Sequence, residues 1–589
     1  MRERVLLSVL RGCGLSALVA WCAQAYPQTA APGLVLPSAA SPQQTIQEGL
    51  RRQEERAREL QKAQEPDASE LTPARRAAPP PGFPQELRCF VINEIGLAGP
   101  DASRFRWLAD AAMPYLRRCV GVQGLSYIAS ALDGVLRDAG FATTRVVLPP
   151  QSLEAGQLQL RVEAGRVGAI RMVDAGNDQQ PDDQGWGTWR NAFPTAIGDV
   201  LNVRDLEQGV ENMKRLPSQT VATRLQPGDD AGTSVIVIER KSAGMRDRLR
   251  GGVSIDNAGS SSLGRAQLSA NVAFDNPAGL NDVVSASFNT NAQQPQETHR
   301  SQSVGLNYSV PWGYNLLSVN ASHSRFAQYV QGTTVRFLSS GSSDSAEVKA
   351  QRTVWRGASG KLGVYAALST RRAESYLDDV EIVVQRRRTT NVETGVNFRQ
   401  LFESAFLDVD LGYRRGMPWR GAQDDLPSAA AGGPTLRPHI WLLNATLGGE
   451  VKLGSLPVQF STALRMQQTR DATLSIDQFA IGGRSSVRGF DGDSVLIAES
   501  GAVLRSELTT PLALWDGVAM QAVAAFDIGH VHGPSAVFLA GKSLAGMAAG
   551  LRGRRGDTQF EALLAVPLRQ PGGFVSRPFS VYATVTQSF

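Results

Sequence analysis

Two short stretches carry residue types that could do chemistry. The first is FAIGGRSSVRGF, Phe479 to Phe490. It sets Arg488 between an apolar neighbour and Gly489, where the backbone is free to bend sharply. The second is AFDIG, Ala525 to Gly529, which places Asp527 in an otherwise apolar segment. A guanidinium and a carboxylate in a narrow, partly wet space pair bidentately. Such a pair is worth about 0–3 kcal/mol, enough to fix a loop without locking it. Arg488 is therefore expected at the tip of an inward-folded loop with Val487, Gly489 and Phe490. Phe526, Asp527 and Gly529 are expected on the wall it meets.

Other chemistry is poorly supported. The sequence contains no GxxxxGK[ST], HExxH or GxSxG. His299, His323, His439, His530 and His532 are the five histidines. His530 and His532 alternate and could share a face, but they read as a solvated pair rather than a metal site. The expectation is no enzyme, no cofactor and no metal.

The elements that would hold the loop come next. From residue 247 the chain alternates with a period of two. In RAQLSANVAF, residues 266, 268, 270, 272 and 274 are apolar, and their neighbours are mostly polar. Val304, Leu306, Tyr308 and Val310 repeat the pattern. About 340 residues at roughly 20 per strand and connection give about 16 antiparallel strands of a transmembrane β-barrel. No apolar run after the first 25 residues approaches the ~18 a membrane helix needs.

Residues 1–25 read as a signal peptide, with Arg2 and Arg4, an apolar run and Ala23-Gln24-Ala25 before the cut. The formal charge of +5 falls to +3 once Arg2, Arg4, Arg11 and Glu3 leave, which gives no basis for nucleic-acid binding. Cys89 and Cys119 remain in the exported chain. They form one disulfide or stay as two buried thiols.

Residues 26–64 include a polar helix capped by Ser41 and Pro42, with only a thin apolar stripe. It suits a wet lumen or bulk solvent. Residues 65–87 are a proline-rich linker. Residues 88–165 read β-α-α-β-β, and residues 166–242 repeat that order, with a weak helix at 186–193. Residues 243–589 complete the chain as the barrel and end on an aromatic, Phe589.

The repeated unit resembles the POTRA domains of outer-membrane transporters and assembly factors. VVLPPQSLEAGQLQLRVEAGRV (Val146 to Val167) and GDVLNVRDLEQGVENMKRLPS (Gly198 to Ser218) are similar to segments of the two-partner secretion (TpsB) transporters. VRGF and AFDIG resemble that family's loop-six tip and facing-strand motifs. The resemblance implies a plug helix, two periplasmic POTRA domains and a barrel of 16 strands in the outer membrane of a Gram-negative bacterium. It also implies a secreted exoprotein as partner, of adhesin or haemolysin type and carrying an N-terminal secretion domain. Outer-membrane lipid and the barrel-assembly machinery would be its other partners. Client capture would use a strand edge at Phe141, Thr143, Arg145 and Val147. A barrel-assembly insertase, a passive porin and a transporter that also activates a cytolysin are the rival readings.

Overall fold

The computed structural model describes residues 82–174, 186–242, 244–261, 263–293, 298–331, 334–513 and 516–589. The expected signal peptide, the helix in residues 26–64 and most of the linker lie outside them.

The first α/β unit contains β1 (Phe90–Val91), β2 (Glu94–Ala98), α1 (Trp107–Ala112), β3 (Cys119–Val120), α2 (Val122–Asp138), β4 (Arg145–Val147) and β5 (Gln157–Glu163). Its three-stranded sheet has the order β2-β5-β4, with β2 and β5 parallel. Ile128, Leu132 and Leu136 recur every fourth residue of α2. They bury against Leu158, Leu160 and Val162, which alternate inward along β5. Cys89 and Cys119 are joined by a disulfide. It ties the start of the unit to β3, just ahead of α2.

Two expectations fail in this unit. The strand edge expected from Phe141 to Val147 forms only the three-residue β4. Phe141 turns into the core and meets the Phe105 ring edge-on at 5.0 Å, and Thr143 precedes the strand. Arg145 and Val147 do lie on the sheet edge. However, the Val146 N–H between them donates to Asp133 Oδ1 of α2 at 2.8 Å, so β4 is a blunted edge. Among the described residues β2 pairs with β5 alone, which leaves its outer side as the open edge.

The second unit contains β6 (Arg166–Asp174), α3 (Val203–Lys214), β7 (Gln219–Pro227) and β8 (Thr233–Ser242), with sheet order β6-β8-β7. No helix forms over 186–193. The stretch makes a hydrogen-bonded turn, with Ala192 N and Phe193 N both donating to the Trp189 carbonyl. Its polar groups are committed elsewhere. Trp186 Nε1 donates to the Asn276 carbonyl at 2.6 Å, and Asn191 Nδ2 to the Pro311 carbonyl at 2.9 Å. These carbonyls belong to a turn and to a strand end at the near rim of the barrel, so this face of the unit is bonded to the wall.

α3 adds a charged contact to the same rim. Arg356, with only 3% of its side chain exposed, bonds Glu211 at 2.5 Å and Gln208 at 2.9 Å. Lys361 reaches Glu211 at 2.8 Å. Burial pushes the Glu211 carboxyl up, but Lys361 and Arg356 outweigh it and hold the pKa at about 2, against 4.5 ordinarily. A depressed pKa keeps the contact at full strength above about pH 4.5 and loses it only as pH falls towards 2. Hydrogen exchange at α3 should therefore be flat from pH 8 to pH 5, once corrected for intrinsic rates. Glu211→Gln should loosen this junction by up to about 3 kcal/mol, because it takes the nearest carboxylate from a buried arginine and leaves it only Glu207 at 3.5 Å and Gln208. Faster α3 exchange in the variant would show it, and unchanged exchange would refute it.

The barrel closes from sixteen long antiparallel strands, with a two-residue addition at Val380–Glu381. Its first strand, Leu249–Asp256, pairs with its last, Ser580–Ser588. That seam has five register pairs, against 17 between Asn315–Gln331 and Arg336–Arg356. Outward positions form an apolar belt that includes Ile255, Val304, Leu306, Val348, Val364, Leu564 and Val585. Trp312 and Trp355 mark its periplasmic rim, and Trp419 and Trp441 its extracellular rim, all about half exposed. Gln587 lies on this outer face, where its Oε1 accepts from Thr558 Oγ1 of the neighbouring strand.

Candidate functional site in the barrel lumen

The segment between strands Leu456–Thr469 and Ser500–Leu512 starts at the extracellular rim and folds into the barrel. A two-stranded ribbon, Phe479–Ile481 with Leu496–Ala498, carries it inward. Phe479, Ile481, Val487, Phe490 and Leu496 pack against the wall residues Val503, Val531 and Leu544. Val487 and Phe490 are 0% and 1% exposed. Burying two such side chains contributes about 1.5–3 kcal/mol each. Apolar packing therefore brings the segment inside, and the charges choose its register.

Arg488 lies at the turn. Its Nε donates to Asp527 Oδ2 at 2.7 Å and its Nη2 to Asp527 Oδ1 at 2.7 Å. Its backbone N–H donates to Asp527 Oδ2 at 2.9 Å. Asp527 is 0% exposed and Arg488 4%. Asp527 stands on strand Ala519–His532, five residues before its extracellular end, or roughly 16 Å along the strand. The tip is thus bolted well inside the lumen.

Glycines of the tip and of the wall make room. Gly489 has φ +110° and a Cβ there would lie 2.5 Å from the Val566 carbonyl. A Cβ on Gly546 would come within 1.8 Å of the Arg488 carbonyl oxygen. The tip therefore lies flat on the wall. Gly529 faces Ile481 and Val487, which a Cβ would meet at 3.0 Å. Phe526 does not join them. It is one residue out of phase with Asp527, points to the lipid side and is 47% exposed. Strand pleating forces this outcome.

Several partners were not anticipated. Arg488 Nη1 also donates to Glu507 Oε2 at 2.7 Å. Glu507 then pairs with Arg552 at 3.0 Å, Arg552 with Glu561 at 2.7 Å, and Glu561 with Arg484 of the loop at 3.0 Å. The Tyr582 hydroxyl accepts from Gly489 N at 3.1 Å and donates to the Phe490 carbonyl at 2.8 Å. The signal for these partners was a charge at an inward-register position of adjoining strands: Glu507, Arg552 and Glu561. Around them the lumen holds a cavity of about 1450 Å³ lined by residues such as Asn271, Asn397, Asp410 and Arg465.

Histidines stay apart from this network. His530 and His532 stack at 6.0 Å, and each ring bonds a neighbouring side chain, Ser543 and Gln468 respectively. No cluster of three or more metal-ligating side chains occurs among the described residues.

A closed barrel with a loop anchored in its bore, preceded by two β-sheet units, defines an outer-membrane protein with POTRA domains. The POTRA profiles match residues 90–165, in the ShlB-type form, and 166–227. The profile described as haemolysin secretion/activation protein ShlB/FhaC/HecB matches residues 232–553. The chain belongs to that family, the TpsB transporters of two-partner secretion in the Gram-negative outer membrane. It is 32% identical over 561 residues to the outer membrane transporter CdiB-2 of Burkholderia pseudomallei, covering 91% of this chain and 94% of that one. The hemolysin transporter protein ShlB of Serratia marcescens is 26% identical over 412 residues, 70% of this chain. The solved structure of CdiB from Escherichia coli is 26% identical and superposes with a TM-score of 0.79, covering 94% of this chain and all of that one.

Proposed function

We propose that the chain binds an unfolded exoprotein of adhesin or haemolysin type through its POTRA units and passes it through its own bore. The observation that carries this reading is the anchored loop. A seal held by the ion pairs of Arg488 and Arg484 and by a small apolar cluster is firm at rest, yet it can be displaced by a client. A passive porin has no use for two binding units at the periplasmic rim. The sheet edge offered to a client is β2 (Glu94–Ala98) rather than β4, since Asp133 caps the outward N–H of β4. Client folding outside the cell makes passage one-way, since the sequence carries no GxxxxGK[ST] motif to supply the drive.

The test uses photo-crosslinking amino acids at adjacent wall positions. Asn397 lines the lumen, whereas Val396 is 38% exposed on the lipid face. A stalled exoprotein should crosslink from position 397 and not from 396. Crosslinks confined to the seam strands Leu249–Asp256 and Ser580–Ser588 would instead favour insertase action. Secretion with no crosslink at 397 would overturn the reading.

A further inference from the structure

We propose that the outer face of the barrel carries a binding site for the phosphate groups of an outer-leaflet glycolipid of lipid A chemistry. The site is independent of client transport. Register puts Val304, His323, Asp344, Arg372 and Arg388 in one outward row across five strands. The row below it is Leu306, Ala321, Ala346 and Thr370. The polarity of the wall thus changes within one outward step. On strand Arg336–Arg356 the outward residues between Asp344 and Arg352 are only Ala346, Val348 and Ala350. Eight residues at roughly 3.3 Å, tilted about 40°, rise about 20 Å, close to the height of a barrel's apolar band. Asp344 and its row therefore lie at the extracellular lipid boundary, where Trp419 also stands.

The charge there is unbalanced. Arg325, Arg372, Arg388 and Arg420 face Asp344 and Glu374. Arg372 bonds Glu374 at 2.7 Å. His323 Nδ1 pairs with Asp344 at 2.6 Å while its Nε2 accepts from Arg325 at 2.8 Å. Arg388 and Arg420 have no ion pair among the described residues. The backbone that carries them is nonetheless held in place. Gln423 N donates to the Arg388 carbonyl at 2.9 Å, Arg388 N to Gln423 Oε1 at 3.1 Å, and Thr390 Oγ1 to the Trp419 carbonyl at 2.9 Å. These bonds fold the loop down onto the strand, so Arg372, Arg388 and Arg420 line one depression of about 620 Å³ with Val304 and Leu306 at its foot.

Two unpaired guanidiniums above an apolar wall match a ligand with an anionic head and acyl chains directly below it. Guanidinium suits phosphate because it donates two parallel hydrogen bonds to it. A free phosphate would use the arginines and gain nothing from Val304 and Leu306.

The experiment measures binding of diphosphoryl lipid A to the purified full chain in mild detergent by native mass spectrometry. The double variant Arg388→Gln, Arg420→Gln should lose roughly tenfold in affinity, the scale of one or two charge-assisted contacts. Arg352→Gln removes an outward charge at the opposite rim and should bind normally. Dephosphorylated lipid A should bind as weakly as the double variant binds the intact lipid, and millimolar inorganic phosphate should not compete. Heat-modifiable mobility on gels reports that each variant still forms a barrel. Unchanged affinity in the double variant, an equal loss in Arg352→Gln, or effective competition by inorganic phosphate would each overturn the proposal.

Discussion

Replacing Arg488 with alanine is expected to leave a folded, inserted barrel that secretes its exoprotein at least tenfold less. The variant removes three hydrogen bonds to Asp527 and Glu507 and leaves Asp527, 0% exposed, with one backbone donor from the tip. Breaking a buried pair on one side costs about 3–5 kcal/mol. That is comparable with the apolar seating of Val487 and Phe490 together, about 3–6 kcal/mol, so the tip should lose the register that the charges had chosen. The wall should survive, because its strands are joined by ladders that Arg488 does not touch. Release of exoprotein into the medium and heat-modifiable mobility on gels measure the two halves of this claim. Secretion at the unmodified level would remove the tip from the mechanism. Loss of the barrel would make Arg488 an assembly residue instead. Asp527→Asn should weaken secretion less, since it keeps the shape of the contact and removes one charge.

The second large effect needs no change of charge. Gly546→Val should unseat the same tip, because its Cβ would come within 1.8 Å of the Arg488 carbonyl oxygen. No rotamer relieves a clash made by a Cβ against backbone. All six groups of the ion-pair chain remain, so a secretion loss here separates seating from electrostatics. The tip also contains trypsin sites at Arg484 and Arg488, both shielded in the folded chain. Trypsin added to intact cells should cut at these positions in the variant and not in the unmodified protein. Equal resistance in both, with equal secretion, would show that the wall bends to accept the methyls.

The sequence made the ends of this site legible and hid its middle. Arg488 and Asp527 stood out because each is a lone charge in apolar or glycine-rich surroundings. Glu507, Arg552 and Glu561 did not, because a lumen-facing charge on an alternating strand looks like any water-facing one. Phe526 was drawn into the site by adjacency, although pleating sends it to lipid. The run from Phe141 has the β-branched composition of a strand, but its first aromatic is worth more in the core than on an edge. Trp186 to Phe193 carried apolar residues that suggested a helix. Their polar partners lie about 90 or more residues away on the barrel rim, where no local pattern reveals them. The barrel itself was readable through repetition, since each strand is weak evidence and sixteen are strong.

The short seam between Leu249–Asp256 and Ser580–Ser588 sets a schedule. The cylinder's opening strand pairs on one edge with Gln267–Asp275, but its other edge has no mate until the final nine-residue strand has been synthesised, exported and delivered. Until then one raw margin of the sheet stays unsatisfied in whatever surrounds it, and whatever escorts the chain must shelter that margin from beginning to end. Having the fewest rungs, the same join should also be the first to unzip when the finished cylinder is heated.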